Sequence, residues 1–246
     1  SLAARGVDGI VLGRAIDSAG GNLTLQTSAR NVGQTGTLAG DIQVARDVTL
    51  DVSGRFVNAL ADGLASSAAT SGGSIALRSG AGLVLGEGSL LDVSGGVRVS
   101  ASGAISGSAA GSLLLSSTPL ADGGTLLGKA FELAGSLRGL ALHGARGGSL
   151  GLRATEIVIG PDAGSDAGTG RLGLDPAALS RGGFASLQLD GVAGLRVDPG
   201  TALSLQGQSW QAAASLAGQA SGRHAPGGRP PAGRVRPSGR LRGGSP

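Results

Sequence analysis

The sequence predicts an all-β fold, a β-solenoid in which short strands stack in successive turns of the chain, or rungs. Pairs of large aliphatic residues two positions apart recur throughout, and alternation with this period is typical of strands that bury one face. Several pairs begin eight residues apart and are bounded by glycine, which is typical of a repeat architecture. The clearest series are Ile75/Leu77, Leu83/Leu85 and Leu91/Val93, and Leu187/Leu189, Leu195/Val197 and Leu203/Leu205.

The composition agrees with a narrow core made of small aliphatic side chains. Glycine accounts for 49 of 246 residues, but it has no three-residue period, which excludes collagen. The hydrophobic fraction of 40% excludes a disordered linker, and the aromatic fraction of 2% argues against both a globular core and a base-stacking nucleic-acid site. We therefore expect Leu, Ile, Val and Ala to fill the interior.

Three windows of the sequence align without gaps and indicate the length of a rung. They are DIQVARDVTLDVSG (41–54), GLVLGEGSLLDVSG (82–95) and GLRVDPGTALSLQG (194–207). The intervals from the first window to the second and third are near two and five multiples of about 21–22 residues, which suits a rung with two or three short strands. Around nine rungs would then extend roughly 40–45 Å. The alignment predicts that four leucines are buried: Leu83, Leu91, Leu195 and Leu203.

Two short phrases recur where rungs begin and where strands meet corners. The rung openers are GGNLTL (20–25), GGSIAL (72–77), GGSLGL (147–152) and a degenerate copy, GSLLL (111–115). The phrase LDVSG occurs at 50–54 and again at 91–95. Because corners need tight bends, we expect the carboxylates of Asp51 and Asp92, or the serine hydroxyls beside them, to accept hydrogen bonds from corner amides.

The chain divides into three parts. Residues 1–19 form an incomplete leading rung, residues 20–210 form a β-helix shaft, and residues 211–246 form a linker and a disordered tail rich in Arg, Gly and Pro. Residues 221–246 contain six arginines, five prolines and no acid, so the basic charge belongs to the tail. Its origin has two alternatives. The tail is either a native segment that binds nucleic acid or an anionic surface, or the product of a shifted reading frame in GC-rich DNA.

Two segments depart from the strand pattern. A short helical insertion near 176–180, on the flank of the shaft, is predicted by Asp175 as an N-cap and Pro176 at the first helical position. The segment FELAGSLRGLALHG (131–144) is compatible with strands at 131–133 and 137–142 or with a short helix.

Residues that could carry catalysis or bind a metal are sparse. There is no cysteine, and neither His143 nor His224 has neighbours at metal-ligand spacing. Asp162 and Asp166 in the loop 160–170 are too few oxygen ligands for calcium. The acids expected on different rungs are Glu87, Asp92, Glu132, Glu156, Asp190 and Asp198. We therefore predict no catalytic residue, no cofactor, no metal site and no enzymatic activity.

Three stretches of the chain resemble large exoproteins of the filamentous haemagglutinin type. They are LDVSGG (91–96), GGSLGL (147–152) and LDPAALSRGGFASLQLDGVAGLRVDPGTALSL (174–205). The resemblance implies a right-handed parallel β-helix and an outer-membrane two-partner-secretion transporter as a partner of the full-length parent. It also implies a role in attachment, with the parent secreted or held on the surface of a Gram-negative bacterium.

The function predicted from these observations is that of a shaft segment of an adhesin, which gives reach and surface for attachment. The alternatives are a carbohydrate-acting β-helix enzyme, which would gather acids on one face, and an autotransporter passenger fragment. We expect a fragment of a longer exported parent, because the chain starts with Ser1 and shows no export signal. The sequence identifies no ligand on a host or neighbouring cell. It predicts no nucleic-acid partner, and it predicts end-to-end self-association through unpaired strand edges.

Overall fold

The computed structural model describes residues 1–32, 37–63, 68–118, 120–122, 125–127, 129–142, 144–161, 163–165, 169–202, 208–211, 214–222 and 236–237. Strands predominate, as predicted. The strands are β1 Leu2–Gly6, β2 Gly9–Leu12, β3 Ile16–Asp17, β4 Asn22–Thr27, β5 Arg30–Val32, β6 Thr37–Ala39, β7 Asp41–Val44, β8 Thr49–Asp51, β9 Phe56–Asn58, β10 Ser74–Ser79, β11 Leu83–Leu85, β12 Leu90–Asp92, β13 Val97–Val99, β14 Ile105–Gly107, β15 Ser112–Ser117, β16 Leu120–Asp122, β17 Thr125–Leu127, β18 Phe131–Leu133, β19 Ser136–Arg138, β20 Ala141–Leu142, β21 Gly148–Ile159, β22 Arg171–Leu174, β23 Phe184–Val197, β24 Gln208–Trp210 and β25 Arg236–Pro237. The helices are α1 Ala59–Asp62, α2 Pro176–Arg181 and a 3₁₀ helix, Ala214–Gly218.

Three sheets with parallel strand pairing organise the main part of the described structure. Sheet A contains β1, β4, β10, β15, β21 and β22, with β23 also paired to β21. Sheet B contains β2, β7, β11 and β18, and sheet C contains β3, β8, β12 and β19. We call each set of three strands, one from each sheet in chain order, a layer. Layers 1 to 4 are thus β1–β2–β3, β4–β7–β8, β10–β11–β12 and β15–β18–β19, while β21 and β23 continue sheet A as layers 5 and 6.

The rung openers occupy equivalent positions in sheet A, as the sequence predicts. Leu23 pairs with Ile75, Ile75 with Leu113, and Leu113 with Leu150, always in parallel register. All four side chains are buried. Each opener therefore marks the sheet A strand of a new layer, and its first aliphatic residue stacks on that of the layer before.

The eight-residue series 75–93 describes a single layer, because its three doublets lie in β10, β11 and β12. The aligned windows 41–54 and 82–95 also match in space, since Ile42 pairs with Leu83 and Leu50 with Leu91. These strands are adjacent, so the whole interval between the two windows is one layer, and the prediction that it holds two rungs is wrong. The antiparallel hairpins β5–β6, β13–β14 and β16–β17 add length to layers 2, 3 and 4, respectively. Sheet A accordingly has six layers in the described residues, or about 24 Å at the usual strand spacing, instead of about nine rungs.

The core consists of inward-facing aliphatic columns from the three sheets. Leu83 and Leu91 are fully buried, as predicted. Leu203 lies outside the described residues. The prediction for Leu195 is wrong, because its side chain is 49% exposed and that of Val197 is 46% exposed. Both lie on β23, which is hydrogen-bonded only to β21 within the described residues, so one side of this strand lacks a covering layer.

The structure assigns the ambiguous segment at residues 131–142 and confirms the predicted helical insertion near 176–180. Residues 131–142 form β18, β19 and β20, with no helix in this described stretch. The helical insertion is α2, where the Asp175 side chain accepts a hydrogen bond from Ala177 N at 2.9 Å and Pro176 begins the helix. Leu179 on this helix is buried in the main core cluster, so α2 contributes to the core in addition to lying on a flank.

Residues 208–211 and 214–222 fold back onto the rest of the described structure. Strand β24 pairs with β20, and the Phe56 and Gly222 backbones exchange hydrogen bonds of 3.2 and 3.1 Å. Strand β25 pairs with β24 in antiparallel orientation. These contacts differ from the linker and disordered tail expected for 211–246, of which residues 212–213, 223–235 and 238–246 lie outside the described residues.

The side chain of Asn58 binds residues 216–219 of this segment by hydrogen bonds. This side chain is fully buried and caps α1 by accepting a hydrogen bond from Ala61 N at 3.0 Å. Its Nδ2 donates to the carbonyl oxygens of Leu216, Ala217 and Gln219 at 3.0, 3.1 and 2.6 Å. A second apolar cluster forms beside it from Phe56, Val97, Val99, Leu140, Leu142, Trp210 and Leu216.

Replacing Leu91 with Asp tests the inward columns. The substitution places an unpaired carboxylate in a site with no solvent exposure, so we expect the free energy of unfolding to fall by at least about 3 kcal/mol. Leu195→Asp is the matched control, and we expect it to cost less than about 1 kcal/mol, because this side chain is half exposed. Urea unfolding followed by circular dichroism measures both, and equal stabilities for Leu91→Asp and the parent would refute the inward assignment.

Candidate functional site

The repeated LDVSG phrases form hydrogen-bonded corners, as predicted. Asp51 Oδ1 accepts from Ser53 N at 2.8 Å, and Asp92 Oδ1 accepts from Ser94 N at 2.8 Å. The two aspartates are register partners in adjacent layers of sheet C, and Arg138 is the partner of Asp92 in the next layer. Arg138 Nη1 lies 3.3 Å from Asp92 Oδ2, so the last carboxylate of this stack is ion-paired.

Burial raises the pKa of Asp92 above its ordinary value, because the charged carboxylate loses hydration. The hydrogen bonds from Ser94 and the charge of Arg138 oppose this rise, while the charge of Asp51 adds to it. A raised carboxyl pKa is found both in catalytic acids and in buried structural acids. Asp92 lines neither of the two cavities described below, and its hydrogen bonds hold a corner, so the arrangement is that of a structural acid.

The other acids considered from the sequence lie in different parts of the fold. Glu87 pairs with Arg46 at a turn, Asp190 lies 3.3 Å from Arg153, and Asp198 lies 3.3 Å from Arg196. Glu132 and Glu156 are on β18 and β21. Across the described residues no group of three or more His, Asp or Glu side chains is placed to hold a metal ion. His143, His224, Asp162 and Asp166 lie outside the described residues.

Six side chains form a column along the outer face of sheet A, one in each layer. In layer order they are Arg5, Gln26, Arg78, Ser116, Arg153 and Asp190. Each directly follows an inward-facing residue of its strand and therefore points to the opposite face. Arg78 and Arg153 are exposed, and within the described part of the chain Arg78 has no ion-pair partner.

This column borders a groove of about 590 Å³ that crosses layers 2 to 6, a volume within the range of ligand clefts. Gln26, Arg78, Ser116, Arg153 and Asp190 line one side. The next outward column supplies the floor, with Leu114 in layer 4, Gly151 in layer 5 and Gln188 in layer 6. Because Gly151 carries no side chain, the floor is open in the middle of the groove.

A second cavity, of about 470 Å³, lies beneath α2. Its apolar lining comprises Leu133, Leu137, Leu150, Leu152, Leu174, Leu179 and Phe184. Arg138, Asp175 and Arg181 are its charged lining residues, and Arg181 and Asp175 are 3.7 Å apart. The charged groups therefore have protein partners, which leaves an apolar space between a short helix and the sheets.

The outer column is not among the features predicted from the sequence. Its members occupy one position in each layer, directly after the second aliphatic residue of the opener, as in GGNLTLQ, GGSIALR and GGSLGLR. Comparison of these positions would have shown Gln26, Arg78, Ser116 and Arg153 in succession, with an arginine in every second opener. Their common face, however, depends on the pairing of strands that are far apart in the sequence, such as β4 with β10 and β15 with β21.

Comparison with known proteins finds no match: no protein-family model, no curated protein and no solved structure is similar to the chain. Among the described residues, no helix combines the length and the apolar character needed to cross a membrane.

Replacing Asp92 with Asn tests the cost of burying its charge. Because burial raises the pKa of Asp92 above the unfolded value of 3.8, the native state binds this proton more readily than the unfolded state. The parent should therefore lose stability relative to Asp92→Asn as pH rises from 3.8 through the raised pKa. Thermal unfolding of both proteins between acid and neutral pH measures the difference, and a difference that does not change with pH would contradict the assignment.

Proposed function

We propose that the chain is a length of shaft from a secreted or surface-displayed bacterial adhesin. In this proposal sheets A, B and C are the faces of a right-handed parallel β-helix. The observation that carries it is the parallel register between layers, which recurs in all three sheets with the same inward aliphatic positions. Such a stack serves reach, because each layer contacts only its neighbours and adds about 4.8 Å.

The placement of charges supports a shaft more than a carbohydrate-acting enzyme. A glycosidase of that class needs two carboxyl groups facing the same bond, about 5 to 10 Å apart. Glu87, Asp190 and Asp198 instead pair with arginines at separate places in the fold, and Asp92 is buried in a corner. The autotransporter passenger remains an alternative form of the same shaft role.

Secretion and location are proposed on the resemblance of residues 91–96, 147–152 and 174–205 to large exoproteins. The full-length parent is exported by an outer-membrane two-partner-secretion transporter and stays at the surface of a Gram-negative bacterium or is released from it. The site that binds a ligand on a host or neighbouring cell lies in other parts of the parent or on the outer faces of the layers.

Export through a two-partner transporter tests this proposal directly. The chain is fused behind the secretion domain of a two-partner system and expressed with the matching transporter. With the transporter present we expect the chain to reach the cell surface, where protease added outside the cells digests it. Without the transporter the chain stays in the periplasm, where this protease cannot reach it. The proposal would be contradicted if the fusion stayed in the periplasm while the secretion domain without the chain was exported.

The open side of β23 predicts concentration-dependent association. Leu195 and Val197 are exposed beside a strand edge that is unpaired within the described residues, and such edges pair with other strands. We expect sedimentation velocity to show larger species as concentration rises. Leu195→Lys should move association to higher concentration, whereas Leu60→Lys, at an exposed leucine on α1, should not. A monomer at all concentrations would contradict this expectation.

A further inference from the structure

We propose that the groove on the outer face of sheet A binds a linear polysaccharide that carries a carboxylate on every second sugar. The proposal goes beyond the shaft role and does not depend on it, because a shaft requires only the inward columns. The sugar chain would run across the strands, from layer to layer.

The spacing of the positive charges is the first support. Arg5, Arg78 and Arg153 occupy alternate layers of the outer column, so neighbouring arginines are about 10 Å apart. The layers between them carry Gln26 and Ser116, which are neutral. An extended sugar chain advances by nearly one strand spacing per sugar, so carboxylates on alternate sugars would meet arginines, while the sugars between them would meet Gln or Ser.

The chemistry of the side chains is the second support. A guanidinium group offers a planar pair of N–H donors that matches a carboxylate, and Arg78 has no such partner among the described residues. Arg153 shares its charge with Asp190 at 3.3 Å, both side chains being about half exposed. Gln26 can donate to and accept from sugar hydroxyls, while Ser116 is buried in the lining of the groove and adds no charge there.

The shape of the outer face is the third support. The floor column is uneven: Thr24, Ala76 and Gly151 are small in layers 2, 3 and 5, whereas Leu114 and Gln188 are larger in layers 4 and 6. On the opposite side of the Arg column the groove is lined by short residues: Thr27, Ser28, Ala29, Ser79, Gly80 and Thr118. A polymer in the groove would therefore follow the Arg column, between these short residues and the floor column. A peptide strand would pair with a sheet edge, and a nucleic acid would present a phosphate at every unit instead of every second one.

Binding of defined oligosaccharides to the full chain tests the proposal. The probe is a hyaluronan decasaccharide, in which glucuronate alternates with N-acetylglucosamine, and the binding is measured by isothermal titration calorimetry. A neutral chitin oligosaccharide tests the need for charge, and oligogalacturonate and polyglutamate, with a carboxylate on every unit, test the alternation. We expect hyaluronan to bind most tightly and the chitin oligosaccharide not to bind.

Variants locate the site. Arg78→Gln and Arg153→Gln should each weaken hyaluronan binding about tenfold, the loss expected for one charge-assisted contact. Arg14→Gln removes the same charge from an exposed turn between β2 and β3, away from the groove, and should leave binding unchanged. Gly151→Val tests the shape without changing charge, since a Cβ there lies 3.0 Å from Leu114 Cδ1, the movable end of a side chain. It should block binding, while circular dichroism shows the parent fold.

Three results would overturn the proposal: no hyaluronan binding by the folded parent, equally tight binding of polyglutamate or oligogalacturonate, or the same loss in Arg14→Gln as in Arg78→Gln. The second and third would mean that charge alone attracts the polymer. None of them bears on export through a transporter, so failure of this inference and failure of the shaft proposal are distinguishable. If Arg153→Gln does not fold, Arg78→Gln and Gly151→Val still decide the outcome.

Discussion

Parallel register between successive layers is the constraint on which the rest of the structure depends. Side chains alternate between the two faces of a strand, so a slip of one residue would turn every inward aliphatic side chain outward. Leu23, Ile75, Leu113 and Leu150 stack without such a slip across four layers of sheet A. The hydrophobic effect therefore acts on whole columns, and each strand can be short because its neighbours hold the same register.

The same register determines where polar groups are buried. At the sheet C corner Asp51 and Asp92 stack because their strands stack, and the inner member of the pair, Asp92, loses most of its contact with water. Ser94 N and Arg138 compensate for this burial by hydrogen bonding and charge. The hydrogen bond between the Asp side chain and the Ser amide forms within one layer. In the stack, the buried carboxylate of Asp92 also needs the charge of Arg138 from the next layer. Arg138 lies in the segment 131–144, which the sequence alone left open between strands and a helix.

The outward positions are free of this packing constraint, and there the chain can carry function. Within the described residues the core needs only Leu, Ile, Val, Ala and a few rings such as Phe131. The outer column from Arg5 to Asp190 contributes nothing to that core, and the interval between its arginines is a direct product of strand spacing. A stack of layers built in this way converts a sequence repeat into a surface repeat, which suits the polymeric ligand proposed above.

The sequence by itself determined the strands that carry the doublets of residues 75–93, the rung openers, the LDVSG corners and helix α2, because each is marked by a pattern within a few residues. Tertiary structure decided what depends on strands far apart in the chain. The length of a layer was misjudged because hairpins such as β13–β14 lengthen it without altering the local pattern. Leu195 is exposed because its strand has one paired side, while its doublet with Val197 looks like those in the core. The outer column and the hydrogen bonds from Asn58 to residues 216–221 exist only once distant strands are in register, since no local periodicity specifies which layers meet.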